Sequence, residues 1–379
     1  MGLLLLASLA MFAGAFVLVD DWVSDDDTAS EDVETPEEDE DVIVGNAFEI
    51  VHATMGDDTI VGTGNSMVLG RGGDDDITLS DSATGYGGQG DDTISAAHQS
   101  QGSGHLGDDS LLSTHQATIS GGSGSDMLTA TDNSHAYGGS GDDSIALDDN
   151  ARGYGGFGDD TLNASDDARA SGEEGDDTLL GEGTARLLAG DGNDELTLAG
   201  AATGFGGNGN DLLTVADSAV AHGGAGNDTL SAEAESEATL YGGGDDDTLS
   251  AFSGATLFGG AGDDLLTLTT STDFTDSAES LLTGGDGADV FNIAHEAEGA
   301  PIETTAAIAI ADFDAAQDIL QVTSQEPESI DITQGDDANP TDIRMSFAGR
   351  PDLVIQLTNG ATITEGDIRF VPPASALAS

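Results

Sequence analysis

The chain has 379 residues, 73 of them acidic and 7 basic, for a formal net charge of −66. All seven basic residues are arginines, so nucleic acid and anionic membrane surfaces are repelled and cations are the natural partners. There is no cysteine, which excludes disulfides and thiolate metal sites, and with aromatics at 4% and 55 glycines the composition suits a thin, repetitive interior better than a conventional core.

Residues 1–19 form a nearly unbroken apolar run, long enough to reach across a ~30 Å hydrocarbon layer. It reads as a membrane anchor, with Trp22 at the interface, or as a secretory signal ending near Ala13-Gly14-Ala15. A signal lacks here its usual positive n-region. Residues 20–44 read as an acidic linker, extended by self-repulsion and without structure of its own.

Residues 45–288 are an array. One aspartate returns every 17 residues: Asp58, Asp75, Asp92, Asp109, Asp126, Asp143, Asp160, Asp177, Asp194, Asp211 and Asp228. Asp247, Asp264 and Asp289 continue the series after intervals of 19, 17 and 25. A fixed period of this length marks a coil that stacks on itself. Two residues after each aspartate stands an apolar residue, as in Ile60, Ile77, Leu162, Leu196 and Phe291. Eight residues after it the column is small: Ser66, Ala83, Ser100, Ala117, Ser134 and Ala151 among others. Both columns belong to short strands of period two. Each coil therefore has two short facing strands, a glycine-aspartate loop at one end and a short polar turn such as Ser80-Asp81-Ser82 at the other. The reading is an all-β, right-handed parallel β-roll or β-solenoid of about 14 coils.

The loops carry the chemistry. In Tyr86-Gly87-Gly88-Gln89-Gly90-Asp91-Asp92 the glycines permit positive φ and turn carbonyls inward, and the aspartate adds a carboxylate. Hard oxygen donors at adaptable distances suit Ca²⁺; Mg²⁺ demands tighter geometry, and Zn²⁺ wants histidine or cysteine. The seven histidines share no evident column and read as surface residues. A column of carboxylates at strand spacing is self-repelling. Two of them about 5 Å apart repel by roughly 3 kcal/mol at an effective dielectric near 20, so the array is expected to need metal to fold. A metal-free solenoid with turn-capping aspartates leaves unexplained the second acid or amide that precedes the column, as at Asp57, Asp74, Asp91, Asp108, Asp142, Asp159, Asp176, Asn193, Asn210 and Asn227.

These repeats resemble the haemolysin-type, repeats-in-toxin calcium-binding β-roll, whose glycine-rich nonapeptide binds Ca²⁺. The matching stretches run from Gly87 to Asp92, Gly121 to Asp126, Gly138 to Asp143, Gly155 to Asp160, Gly206 to Asp211, Gly223 to Asp228, Gly259 to Asp264 and Gly284 to Asp289. The resemblance implies several Ca²⁺ ions held between adjacent loops. Their ligands would come from those glycines and aspartates together with Gly90, Gly124, Gly141, Gly158, Gly192, Gly209, Gly226, Gly262, Gly287, Asp75, Asp109, Asp177, Asp194 and Asp247. The family runs two nine-residue units per coil, whereas this chain has 17 residues and glycine on one side, so one column of ions is expected. His105-Leu106, Glu173-Glu174 and Asp245 replace glycines and weaken their sites, and the first loop has only Gly56.

Residues 289–379 read as a β-rich cap, with strands at 290–293, 305–310, 319–322, 343–347 and 353–357, a turn at Asn359-Gly360 and a frayed end after Pro372-Pro373. This region also resembles the stretch after the repeats in type I secreted proteins, through Gly287 to Phe291 and Ile310 to Asp314, which implies export. No HExxH and no GxSxG elbow occurs, and no enzymatic role is assigned. The functional expectation is calcium binding by a secreted or surface-tethered bacterial structural or adhesive rod. The alternative is a module that binds or acts on a surface polysaccharide as lyase, epimerase or hydrolase.

Overall fold

The structure is a computed structural model. It describes residues 33–34, 42–234, 236–270, 280–295, 307–336, 339–347 and 352–373. The apolar run, most of the acidic linker and the last six residues lie outside them. Among the described residues no helix is long and apolar enough to cross a membrane.

The chain is an all-β parallel solenoid of about 13 turns with a 17-residue period. The fourteen aspartates from Asp58 to Asp289 bound thirteen turns, and further rungs flank them at both ends. One turn shows how the residues build it. Strand Asp76–Ser80 alternates, with Ile77 and Leu79 buried and its other side chains outward. Asp81 and Ser82 then take φ of 56° and 72°, and the Ala83 N–H donates to the Ser80 carbonyl at 3.3 Å. Two consecutive left-handed residues closed by that bond make a type I′ turn, which small polar residues tolerate best. Strand Thr84–Gln89 returns with Gly85 buried, and the glycine loop leads to the next aspartate.

Two parallel ladders result. One runs from Val42–Gly45 through Thr59–Thr63 and Asp76–Ser80 to Val290–His295, Ile319–Thr323 and Ile368–Val371. The other runs from Ile50–His52 through Met67–Leu69 and Thr84–Gln89 to Ser280–Asp286, Ala307–Ile310 and Leu353–Leu357. Equivalent residues of successive turns are in register, so every column of the sequence becomes a column in space. The large apolar column, such as Ile145, Leu162 and Leu196, packs with the small column, such as Ala151, Ala168 and Ala202, all fully buried.

Three expectations change. Residues 20–44 read from composition as linker, but 42–44 form the first strand of one ladder, pairing with Thr59–Thr63, and Val33–Glu34 pairs in parallel with Ile50–His52 at the start of the other. Ile43 holds the inward position two after Asp41, which itself stands 17 before Asp58. The ladders also run on past Asp289, so the loss of period there is an insertion within a continuing stack. Finally, the end is closed by antiparallel strands Thr341–Ser346 and Ser329–Thr333, of which the second was not foreseen, nor was Ile368–Val371. The antiparallel strands add to the last rung of the glycine ladder and leave the short, partly exposed Ser329–Thr333 as its edge.

Candidate metal-binding ladder

Each aspartate of the 17-residue series is buried, at 1–3% exposure, and hydrogen-bonded to its neighbour. The Asp143 N–H donates to Asp160 Oδ1 at 2.7 Å, and the Asp160 N–H to Asp177 Oδ1 at 2.8 Å. The same bond recurs from the Asp58–Asp75 pair to the Asp264–Asp289 pair, across the 19- and 25-residue intervals as well. It then continues to a member the sequence reading missed: the Asp289 N–H donates to Asp318 Oδ1 at 3.1 Å. The signal was present, since Asp318 is followed by Ile319-Leu320 just as Asp264 is by Leu265-Leu266.

The second oxygen is different. From Asp75 to Asp264, every ladder aspartate has a buried Oδ2 with no hydrogen-bond partner. Such an atom costs about 1–3 kcal/mol unless something fills the need. The glycine five residues earlier makes room for it: a methyl on Gly155 would fall 2.0 Å from Asp160 Oδ2 and 2.8 Å from the Gly172 carbonyl oxygen of the following turn. The same pair of oxygens flanks Gly138, Gly206, Gly223, Gly242 and Gly259. Orphaned carboxylate oxygens thus alternate with backbone carbonyls along the rod interior of the loops.

Three glycine columns have three separate reasons. Gly87, Gly121, Gly138, Gly155, Gly206, Gly223, Gly259 and Gly284, first in each loop, clear space for the carboxylate. Ala189 holds this place before Asp194, so the room is adjustable. Gly88, next in the loop, has φ of 128°; Arg71, His105 and Glu173 occupy the equivalent place at 83–85°, nearer the left-handed region open to L-residues. Gly90, Gly124, Gly141, Gly158, Gly192, Gly209, Gly226, Gly262 and Gly287, two before the aspartate, are the tightest column. Their φ lies between 115° and 151°, and a methyl would meet the previous turn's carbonyl oxygen, 1.7 Å away for Gly209. Asp245 is the exception in this column, at φ 73°.

The acid or amide before each ladder aspartate also has a hydrogen-bonding role. The Asp159 N–H donates to Asp142 Oδ1 at 3.0 Å, the Asp176 N–H to Asp159 Oδ1 at 2.9 Å and the Asn193 N–H to Asp176 Oδ1 at 2.7 Å. This exposed ladder tethers each loop to the preceding one, while the buried ladder tethers it to the following one. The second acid is therefore explained without metal, and it drops out as an argument for one.

Electrostatics set the ladder's demand. Burial pushes Asp75, Asp109, Asp126, Asp160, Asp194, Asp228 and Asp264 up to about 6 from the ordinary 3.8, with the N–H bonds opposing and nearby carboxylates adding. The same causes bring Asp92, Asp143, Asp177 and Asp247 to about 7. Asp211 and Asp289 are raised as well, burial again leading. Near neutral pH such a column takes either protons or a cation. Hard, anionic oxygens beside backbone carbonyls, with no nitrogen or sulfur, fit Ca²⁺. A separate acidic trio on the plain turns, Asp148, Asp149 and Asp166, has ligand atoms within 4.8 Å of one another but is half-buried to exposed and includes no buried orphan oxygen.

The histidines need correction. His98 and His115 do share a column, with rings stacked at 4.8 Å on adjacent plain turns. His295 is buried, its Nδ1 2.7 Å from Thr270 Oγ1.

No protein-family model matches the chain, and no curated protein matches it. Among solved structures, the extracellular lipase LipA from Serratia marcescens aligns over 69% of this chain and 45% of its own length, at 16% identity and a TM-score of 0.18. The chain thus spans less than half of that lipase, and a likeness of this size carries nothing about activity.

Proposed function

We propose that the chain binds a column of Ca²⁺ ions between its glycine-aspartate loops and folds into a structural or adhesive rod as it does so. One observation carries the reading: the unbroken run of buried, unpartnered carboxylate oxygens, most of them beside a carbonyl oxygen of the next turn. The chain's own cations are too few to neutralise it, with 7 basic residues against 73 acidic ones. A divalent cation supplies both the missing charge and the missing partners, and its binding energy becomes folding energy. Extracellular calcium far exceeds cytosolic calcium, so a rod of this kind folds after export and belongs outside the cytoplasm.

The test is Asp160→Asn in a calcium titration followed by circular dichroism, with bound calcium counted by equilibrium dialysis. Asparagine keeps the Oδ1 acceptor for Asp143 and removes the charge at the orphan position. The variant is expected to bind less calcium and to need more of it to fold, a loss of about 1–3 kcal/mol for one charged ligand contact. A wild-type chain with full β content in metal-free buffer near neutral pH, or one that binds no calcium, ends the proposal. Cell fractionation of tagged protein tests the location; a cytoplasmic pool of folded protein contradicts it.

A further inference from the structure

One column of the rod surface is basic. Arg152, Arg169 and Arg186 open three successive strands of the glycine ladder and stand in register as Cα partners. His135 is the next rung of the same column. All three arginines are exposed, and among the described residues none forms an ion pair, although the chain carries a net charge of −66. Three of the seven basic residues thus stand on consecutive rungs, each just after a plain turn, the first two of those turns carrying Asp148, Asp149 and Asp166, and among the described residues they pair with none of those carboxylates. They line a groove of about 450 Å³ together with the neutral hydrogen-bonding side chains Asn133 and Asn150. The one carboxylate of that groove, Asp167, accepts the Thr184 hydroxyl at 2.5 Å. The Arg186 guanidinium lies 4.4 Å over the Phe205 ring, which fixes its direction.

We propose that this arginine column binds a linear acidic polysaccharide lying along the rod axis, its uronate carboxylates held by the guanidinium forks. Rungs of a parallel ladder are about 4.8 Å apart, close to the advance per ring of a 1,4-linked sugar chain. Successive rings of such a chain are rotated about its axis, so its carboxylates project to different sides, and the long arginine side chains reach those on the near side with the planar bidentate geometry that arginine favours. A small anion spans at most two rungs and leaves the third unused. Nucleic acid is disfavoured, because the basic column is three arginines long and the chain around it repels a dense polyphosphate. The asparagine amides suit the hydroxyls between the carboxylates.

The inference rests on the folded rod and not on what fills the aspartate ladder. It is tested on the full chain under conditions where the β signal is complete, with or without calcium. Oligogalacturonates of increasing length are titrated by calorimetry against wild type, Arg152→Gln, Arg169→Gln, Arg186→Gln and the triple variant, with Arg369→Gln as a remote control. Affinity is expected to rise with length until the oligomer spans all three arginine rungs and then level off. Each single change is expected to weaken it about tenfold, the triple change to abolish it and Arg369→Gln to leave it unchanged. The triple Arg→Lys variant, with charge but no fork, binds at an intermediate level, and dichroism verifies that each variant is folded. Equal binding by the triple Gln variant, no binding by wild type, or equal binding of methyl-esterified oligomers overturns the proposal. So does polyglutamate binding as tightly as the sugar. Wild-type self-association in sedimentation that the triple Gln variant lacks assigns the column to a second copy of the chain and overturns it too.

Discussion

Acid is expected to stand in for calcium. The perturbation is to take metal-free protein from about pH 8 to about pH 5 and follow its β structure. In the folded rod Asp160 titrates at about 6 and Asp177 at about 7, against 3.8 in an unstructured chain. Their folded values are raised, so the folded state holds more protons than the unfolded state between about 4 and 7. Stability from this source is fully present below 3.8 and is lost as the pH climbs through 6 to 7. At about 1.4 kcal/mol per pH unit, ionising Asp160 inside the rod costs at most roughly 3 kcal/mol. Solvent at the loops screens that to about 1–2 kcal/mol. Four such rungs together remove about 4–8 kcal/mol, comparable with the whole net stability of a domain, about 5–15 kcal/mol. The assay is far-ultraviolet circular dichroism in buffer stripped of metal, paired with a calcium titration at the alkaline end. The expected result is little β signal at alkaline pH, recovery on acidification, and the same spectrum on adding calcium instead. A rod whose metal-free β content is independent of pH, or is lost on acidification, refutes the reasoning.

Two further expectations concern other parts of the ladder. Alanine should be costly in proportion to what its methyl meets: Gly209→Ala, with φ 130° and a carbonyl oxygen 1.7 Å away, loses about 3 kcal/mol. Gly206→Ala, in the column where Ala189 occurs naturally, loses about 1 kcal/mol, and Gly244→Ala, whose nearest neighbour is 3.9 Å off, is close to neutral in chemical denaturation. Asp318→Ala removes the acceptor for the N–H groups of Asp289 and Asp314. It is expected to cost about 1–3 kcal/mol and to raise hydrogen exchange in Ile319–Thr323 and Ile368–Val371 while leaving the middle turns protected.

The repeat made most of the fold legible. A strict period turns a sequence column into a spatial one, so the buried Ile and Leu residues, the small facing column and the two-strand coil followed from spacing alone. The start and end of the stack were obscured by composition. Val42 to Val44 sit behind an acidic run, and Asp318 lies 29 residues beyond Asp289, so neither announces itself by period. The loops were misread in a different way. Sequence shows that an acid precedes the column and that glycines recur, but not which oxygen takes an N–H bond and which is left without one. That division follows from the stacking of one loop on the next. It moved the second acid from metal chemistry to hydrogen bonding and placed the case for metal on Oδ2. The arginine column was legible by the same rule, since Arg152, Arg169 and Arg186 are 17 residues apart, but a count of charges does not show it.

The in-register stacking also creates a problem of address. Successive turns offer nearly the same partners, so a nascent chain that joins the stack one turn out of place keeps most of its contacts. The ladder bonds that span 19 and 25 residues break this degeneracy, since a slipped chain there has the wrong length of loop to close. Both lie toward the C-terminal end, ahead of the unique Asp318 rung. The uniform middle of the rod is therefore indexed from that end, like a ruler with blank divisions and a single marked edge.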